Sequence, residues 1–147
     1  MNEKYNVLKL ENQLCFPLYA ASREVIKLYR PHLDRLGITY TQYIAMMVFW
    51  HDKKVSVKEL GEKLYLDSGT LTPVLKSLEA KGYVNRYRSS EDERMLIVEI
   101  TEKGEELKDL ALDVPSCVAG STGLDHEEAV QLYTLLYKLL GKFNKEK

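Results

Sequence analysis

Apolar positions recur at helical spacing along most of the chain, and the breakers between them divide it into segments. Residues 11–29 mix apolar and polar side chains with no breaker after Pro17, and Pro31 and Gly37 bracket a short helical piece behind them. Thr39 and Gln42 form a capping box ahead of Tyr43-Ile44-Ala45-Met46-Met47-Val48-Phe49-Trp50, a helix apolar on nearly all sides and therefore expected to be buried. Ser56 and Glu59 open a short helix through Leu64. Asp67-Ser68-Gly69-Thr70 opens another that runs to Gly82, a natural C′ residue. The period then changes. Tyr83-Val84-Asn85-Arg86-Tyr87-Arg88 and Met95-Leu96-Ile97-Val98-Glu99-Ile100 are rich in β-formers, and the polar stretch 89–94 between them predicts a hairpin with a charged tip. Thr101 caps a further helix. Asp125 and Glu128 cap a last one over residues 129–143, too apolar around its circumference for a lone surface helix, which predicts packing against another chain.

Helices, a turn, a helix and then a two-stranded hairpin is the order of a winged helix-turn-helix, so the expected class is mainly α with a small β-hairpin. The 147 residues suit a single domain, divided into terminal dimerisation helices (about 1–38 and 101–147) and a DNA-binding part (about 39–100). The 45% hydrophobic and 29% charged residues argue against extended disorder, and the net charge of −1 excludes a histone-like polycation. Between Lys53 and Arg94 basic residues slightly outnumber acidic ones, a mild local bias. No apolar run approaches the roughly 18 residues of a membrane span, and the N-terminus lacks a signal peptide's apolar core, so a cytoplasmic protein without a membrane partner is expected. Cys15 and Cys117 form no CxxC pair, which predicts reduced thiols, and His32, His51 and His126 are too scattered for a metal site. No cofactor is expected. Neither is an enzyme, because paired carboxylates, a Ser/His/Asp set and a thioredoxin-like βαβ pattern are all absent.

In such a fold the helix from about Asp67 to Lys81 would enter the major groove of double-stranded DNA. Its N-terminal half carries Ser68, Thr70 and Thr72, with Lys76 one turn on, and short hydroxyl side chains permit close approach to phosphates and base edges. An ordinary capped surface helix carries the same residues. Arg86, Arg88 and Arg94 on the hairpin add weight, because a hairpin tip reaches an adjacent minor groove whose negative potential favours arginine. Asp92, two residues before Arg94, is expected to hold that guanidinium in position.

The run Tyr65-Leu66-Asp67-Ser68-Gly69-Thr70-Leu71-Thr72-Pro73, followed by Arg88-Ser89-Ser90-Glu91-Asp92-Glu93-Arg94, resembles the recognition helix and wing of MarR-type transcription regulators. The resemblance extends over essentially the whole chain. Leu10-Glu11-Asn12-Gln13-Leu14-Cys15-Phe16 is similar to the organic hydroperoxide sensing branch of that family. The resemblance implies a homodimeric repressor on a pseudo-palindromic operator, with Cys15 sensing an organic hydroperoxide. It also implies two tyrosines bonded to the sensing sulfur, at Tyr29 and Tyr40, and a resolving cysteine in the region of Cys117.

The residues alone leave more than one use for these thiols. Cys15 between Leu14 and Phe16 fits a buried structural thiol, the commoner fate of an apolar-flanked cysteine. A helix starting at Pro17, however, leaves Cys15 beside an N-terminus, where dipole and free amides favour a thiolate. Residues 113–120 around Cys117 read as an exposed, mobile connection. The same fold also serves a repressor released by a noncovalent phenolic or drug-like ligand, which loss of response in Cys15→Ser would exclude.

Overall fold

The computed structural model describes residues 3–145. Two short 3-10 turns, Glu3–Leu8 and Leu10–Asn12, lead into α1 (Cys15–Leu36). There follow α2 (Tyr40–Asp52), β1 (Lys54–Ser56), α3 (Val57–Leu64), α4 (Ser68–Ala80), β2 (Val84–Arg88), β3 (Leu96–Ile100), α5 (Glu102–Ala111), α6 (Val114–Ala119) and α7 (His126–Lys145). The strands form one antiparallel sheet in the order β1-β3-β2, with Val55 opposite Val98 and Arg86 opposite Val98 on the other side. This is a winged helix-turn-helix with long helices at both ends.

The caps lie where the polar pattern puts them. Thr39 and Gln42 bond reciprocally as a capping box, Ser56 accepts from the Glu59 amide, Asp67 from Thr70 and Thr101 from Gly104. Each such cap satisfies an amide that the helix cannot, worth about 0.5–2 kcal/mol. At the far end of α4, Gly82 takes φ +84°, and the amides of Gly82 and Tyr83 close back on the carbonyls of Glu79 and Leu78. α2 is the central element. Tyr43, Ala45, Met46, Phe49 and Trp50 are buried against Leu60 of α3 and Leu71, Leu75 and Leu78 of α4, although Met47 on the opposite face is exposed.

Three expectations need correction. Pro31 does not divide the first helix; α1 runs through it for 22 residues. A proline inside a helix forfeits one backbone bond, and here burial of Leu33 and Leu36 in the next turn fixes the segment regardless. Residues 54–56 are a third strand, too short to show a period. Most consequential, residues 113–120 are not a mobile connection. They form α6, whose Val114 and Val118 are buried against the C-terminal half of α1.

Gly104 locks α5 to the hairpin. Its carbonyl accepts the buried Trp50 indole N–H at 2.9 Å, and a Cβ there would run into the Tyr83 carbonyl and, at 2.7 Å, Ile100 Cγ1. Backbone cannot yield as a flexible side chain can, so Gly104→Ala is expected to destabilise by about 1–3 kcal/mol. A denaturant midpoint equal to that of the parent protein would show that this approach carries no such constraint.

Candidate redox and DNA-reading surfaces

Cys15 is the first residue of α1 and is exposed. The helix begins two residues earlier than Pro17 suggests. Pro17 falls in the first turn, where its missing N–H would have had no partner in any case. Leu14 at the N-cap provides no side-chain acceptor. Immediately upstream, Asn12 Nδ2 donates to the Asn6 carbonyl at 2.7 Å, and Gln13 Nε2 donates to those of Val7 and Lys9, also at 2.7 Å. The N-terminal arm is thus folded on itself and buries no side chain. These amides are a function of the Leu10–Phe16 motif that the sequence reading missed, since exposed Asn and Gln carry no pattern of their own. Tyr19, one turn beyond Cys15, has the Arg23 guanidinium over its ring and accepts an Arg23 hydrogen bond at 3.2 Å.

Tyr29 and Tyr40 do come together, with ring centroids 4.9 Å apart, and Tyr43 completes a layer of three that abuts Trp50. Burial, then the neighbouring Tyr29 hydroxyl, pushes the Tyr40 phenol above its usual range. Its proton therefore stays on and remains available to donate. The layer does not meet the Cys15 of its own chain. Tyr29 lies fourteen residues along α1, about 20 Å at 1.5 Å per residue.

Cys117 sits at the opposite end of α1. Arg35 Nη2 bonds Asp113 Oδ1 at 2.8 Å and Nη1 bonds Oδ2 at 3.3 Å, tying the last turn of α1 to the start of α6. The side-chain bond from Arg35 holds the Asp113 carboxyl below the usual range. Cys117 follows one turn later, its amide bonded to the Asp113 carbonyl at 3.1 Å, and its thiol is exposed. Arg35 is twenty residues from Cys15, so the two thiols of one chain stand on the order of 30 Å apart.

On α4, Ser68, Thr70, Thr72 and Lys76 are all exposed, while Leu71, Leu75 and Leu78 anchor the other face. Ser68, Thr72 and Lys76 follow one another at four-residue spacing, and Thr72 Oγ1 already donates to the Ser68 carbonyl at 2.8 Å. At the hairpin tip, Asp92 accepts the Arg94 amide and its Nε at 3.1 Å each, which holds the carboxyl low and leaves the arginine side chain 92% exposed. Ser68 and Thr72 of the helix and Asp92 and Arg94 of the wing line one groove. Arg88 is exposed on the wing, with Nη1 at 3.4 Å from the Arg94 carbonyl.

Arg86, expected to face DNA, is also engaged within its own chain. Glu79 accepts its backbone amide at 2.9 Å and its guanidinium at 3.2 and 3.3 Å. The Arg86 amide, then its side chain, holds Glu79 ionised. Arg86 therefore clamps the base of the wing to α4, and Glu79, unremarked in the sequence, is its partner.

The chain is 50% identical over 140 residues, covering 95% of each protein, to the organic hydroperoxide resistance transcriptional regulator of Bacillus subtilis. Its fold matches a MarR mutant of E. coli complexed with operator DNA, with a TM-score of 0.71, 26% identity and 84% of this chain and 90% of that one covered. The chain belongs to the MarR-type winged-helix transcription regulators. Within them, residues 27–110 of this MarR-type regulator match the family described as transcriptional regulator SarA/Rot. Reduced AbfR bound to DNA superposes with a TM-score of 0.76 at 34% identity, covering 95% of this chain and 98% of that one. Overoxidised AbfR bound to DNA gives 0.76 at 32% over the same shares, and disulfide-formed AbfR gives 0.60 at 32%, with 99% of each chain covered. AbfR is from Staphylococcus epidermidis. The relatives are transcriptional regulators rather than enzymes. Among the described residues no helix is long and apolar enough to cross a membrane.

Proposed function

We propose that this MarR-type regulator is a homodimeric repressor that leaves its operator when an organic hydroperoxide oxidises Cys15. The observation that carries the reading is the placement of the two exposed thiols at opposite ends of α1, each out of reach of the other within one chain. A sensor at one end and a resolving thiol and tyrosine layer at the other become adjacent only when two α1 helices run antiparallel about a two-fold axis. The surface supports that assembly. Leu14, Phe16, Leu18 and Tyr19 at the head of α1 and Val130, Tyr133, Leu135, Tyr137 and Phe143 along α7 are exposed, an apolar area that a lone chain rarely presents to water.

In the dimer, Tyr29 and Tyr40 of one subunit donate O–H bonds to the Cys15 thiolate of the other. The thiolate attacks the peroxide O–O bond, which breaks. Cys15 becomes the sulfenic acid, and the leaving alkoxide takes up a proton to depart as the alcohol. Cys117 of the opposite subunit then displaces hydroxide from the sulfenic sulfur. The S–O bond is exchanged for S–S, and the thiol proton leaves with it as water. The α4 helices and wings must meet two half-sites at once, so a shift of a few ångströms between the lobes releases both. The AbfR states lend support: the reduced and overoxidised proteins were captured on DNA, whereas the disulfide form departs further from the fold of this chain.

Titrating reduced protein with cumene hydroperoxide, while following operator anisotropy and intact mass, tests the scheme. Binding is expected to fall in step with disulfide formation. Undiminished binding by protein whose Cys15 and Cys117 are fully joined in the disulfide overturns the switch.

A further inference from the structure

Gln42 joins three helix ends on one buried amide. Gln42 is 5% exposed, and Ser56 is the other buried polar residue among those described. Gln42 Oε1 accepts from the Thr39 amide at 3.0 Å and from Lys81 Nζ at 3.2 Å, while Nε2 donates to Ser77 Oγ at 2.8 Å. Lys81 Nζ also donates to the Gly37 carbonyl at 2.7 Å. The end of α1, the first turn of α2 and the last turn of α4 therefore meet there. A capping box by itself asks only for an acceptor at this position, which Glu supplies as well. The donation to Ser77 requires the amide, and it fixes the register of α4 on α2 in a way that sliding apolar contacts do not.

Tyr40 opens α2, between the Thr39 cap and Gln42, with its ring against Tyr29 of α1. A displacement of Tyr40 moves that first turn, and the hydrogen bonds from the turn to α4 run through Gln42. We infer that Gln42 is the positioning residue that transmits a change at the tyrosine layer to the DNA-reading helix, by way of Ser77 and Lys81. The inference rests on the reading of Tyr40 as a partner of the sensing thiol, and adds the route by which its movement reaches DNA.

The double variant Ser77→Ala/Lys81→Met cuts the link on the α4 side and keeps the Thr39–Gln42 box. Reduced, it is expected to react with hydroperoxide at the parental rate, and its reduced operator affinity is the reference for its own oxidised form. Its loss of operator affinity on oxidation is expected to be at least roughly tenfold smaller, a coupling of ordinary allosteric size. A purely structural role would lower both affinities together and leave their ratio unchanged. Ser77→Thr keeps the hydroxyl and is expected to retain the parental ratio. If the double variant does not fold, Ser77→Ala alone is read in the same way. An oxidation response in Ser77→Ala/Lys81→Met, or in Ser77→Ala, as large as the parent's overturns the inference. If the parent protein itself keeps its operator after full conversion to the disulfide, the switch has failed and the coupling with it, so the two failures are read from different samples.

Discussion

Reduced protein treated with one equivalent of hydroperoxide is expected to run as a covalent dimer on non-reducing electrophoresis, and both Cys15→Ser and Cys117→Ser are expected to remain monomeric bands. A disulfide needs Cα atoms within about 7 Å, whereas the thiols of one chain lie on the order of 30 Å apart along α1. An intrachain bridge would require α1 to come apart. The bridge between chains asks for less. Cys117 is held by buried Val114 and Val118 and by the Arg35–Asp113 pair, but the arm before Cys15 buries nothing and bonds chiefly to itself. The arm and first turn of α1 are thus the cheaper elements to move, and in the proposed dimer their movement would draw the sulfur away from the tyrosine layer. In Cys117→Ser the sulfenic acid is expected to proceed to overoxidation, read as an increase in intact mass under excess peroxide. A monomeric band from the parent protein, with operator release intact in Cys117→Ser, would make Cys117 a bystander.

Arg94→Ala is expected to cost more in DNA affinity than any other single change on the wing. Its guanidinium is 92% exposed at the tip and held only by Asp92, so removing it disturbs no packing. An arginine in the minor groove contributes about 1–3 kcal/mol, and a dimer carries two, so the loss sums to roughly 2–6 kcal/mol if the wings act independently. The salt dependence of binding should flatten as well, because two cationic contacts disappear. Asp92→Ala, which frees the arginine without removing it, is expected to fall between. Arg86→Ala should differ in kind. It unpairs Glu79 and loosens the wing from α4, so its effect appears in the thermal midpoint as well as in binding. Unchanged affinity and salt slope for Arg94→Ala would remove the wing from DNA recognition.

Elements whose signal is local were legible in the sequence. The caps at Thr39, Ser56, Asp67 and Thr101, Gly82 at the end of α4, and the two strands of the wing all follow from a residue and its neighbours within four positions. The exposed stripe on α4 and the Asp92–Arg94 pair were readable for the same reason. What the sequence left open depends on residues far apart in the chain. Pro31 sits inside a helix because Leu33 and Leu36 find a core, and α6 forms because Val114 and Val118 find α1. Arg86 faces Glu79 rather than outward because strand and helix close on each other. Gln42 looked like a capping residue and is also a buried junction, since Ser77 and Lys81 arrive from 35 and 39 positions away. The thiols show the division most plainly. The resemblance of residues 10–16 singles out Cys15 as the expected sensing thiol, but only the length of α1 separates it from Cys117 and its own tyrosines. A rigid helix rising 1.5 Å per residue cannot bring its two ends together, so the proposed reaction between the thiols would need a second copy of the chain.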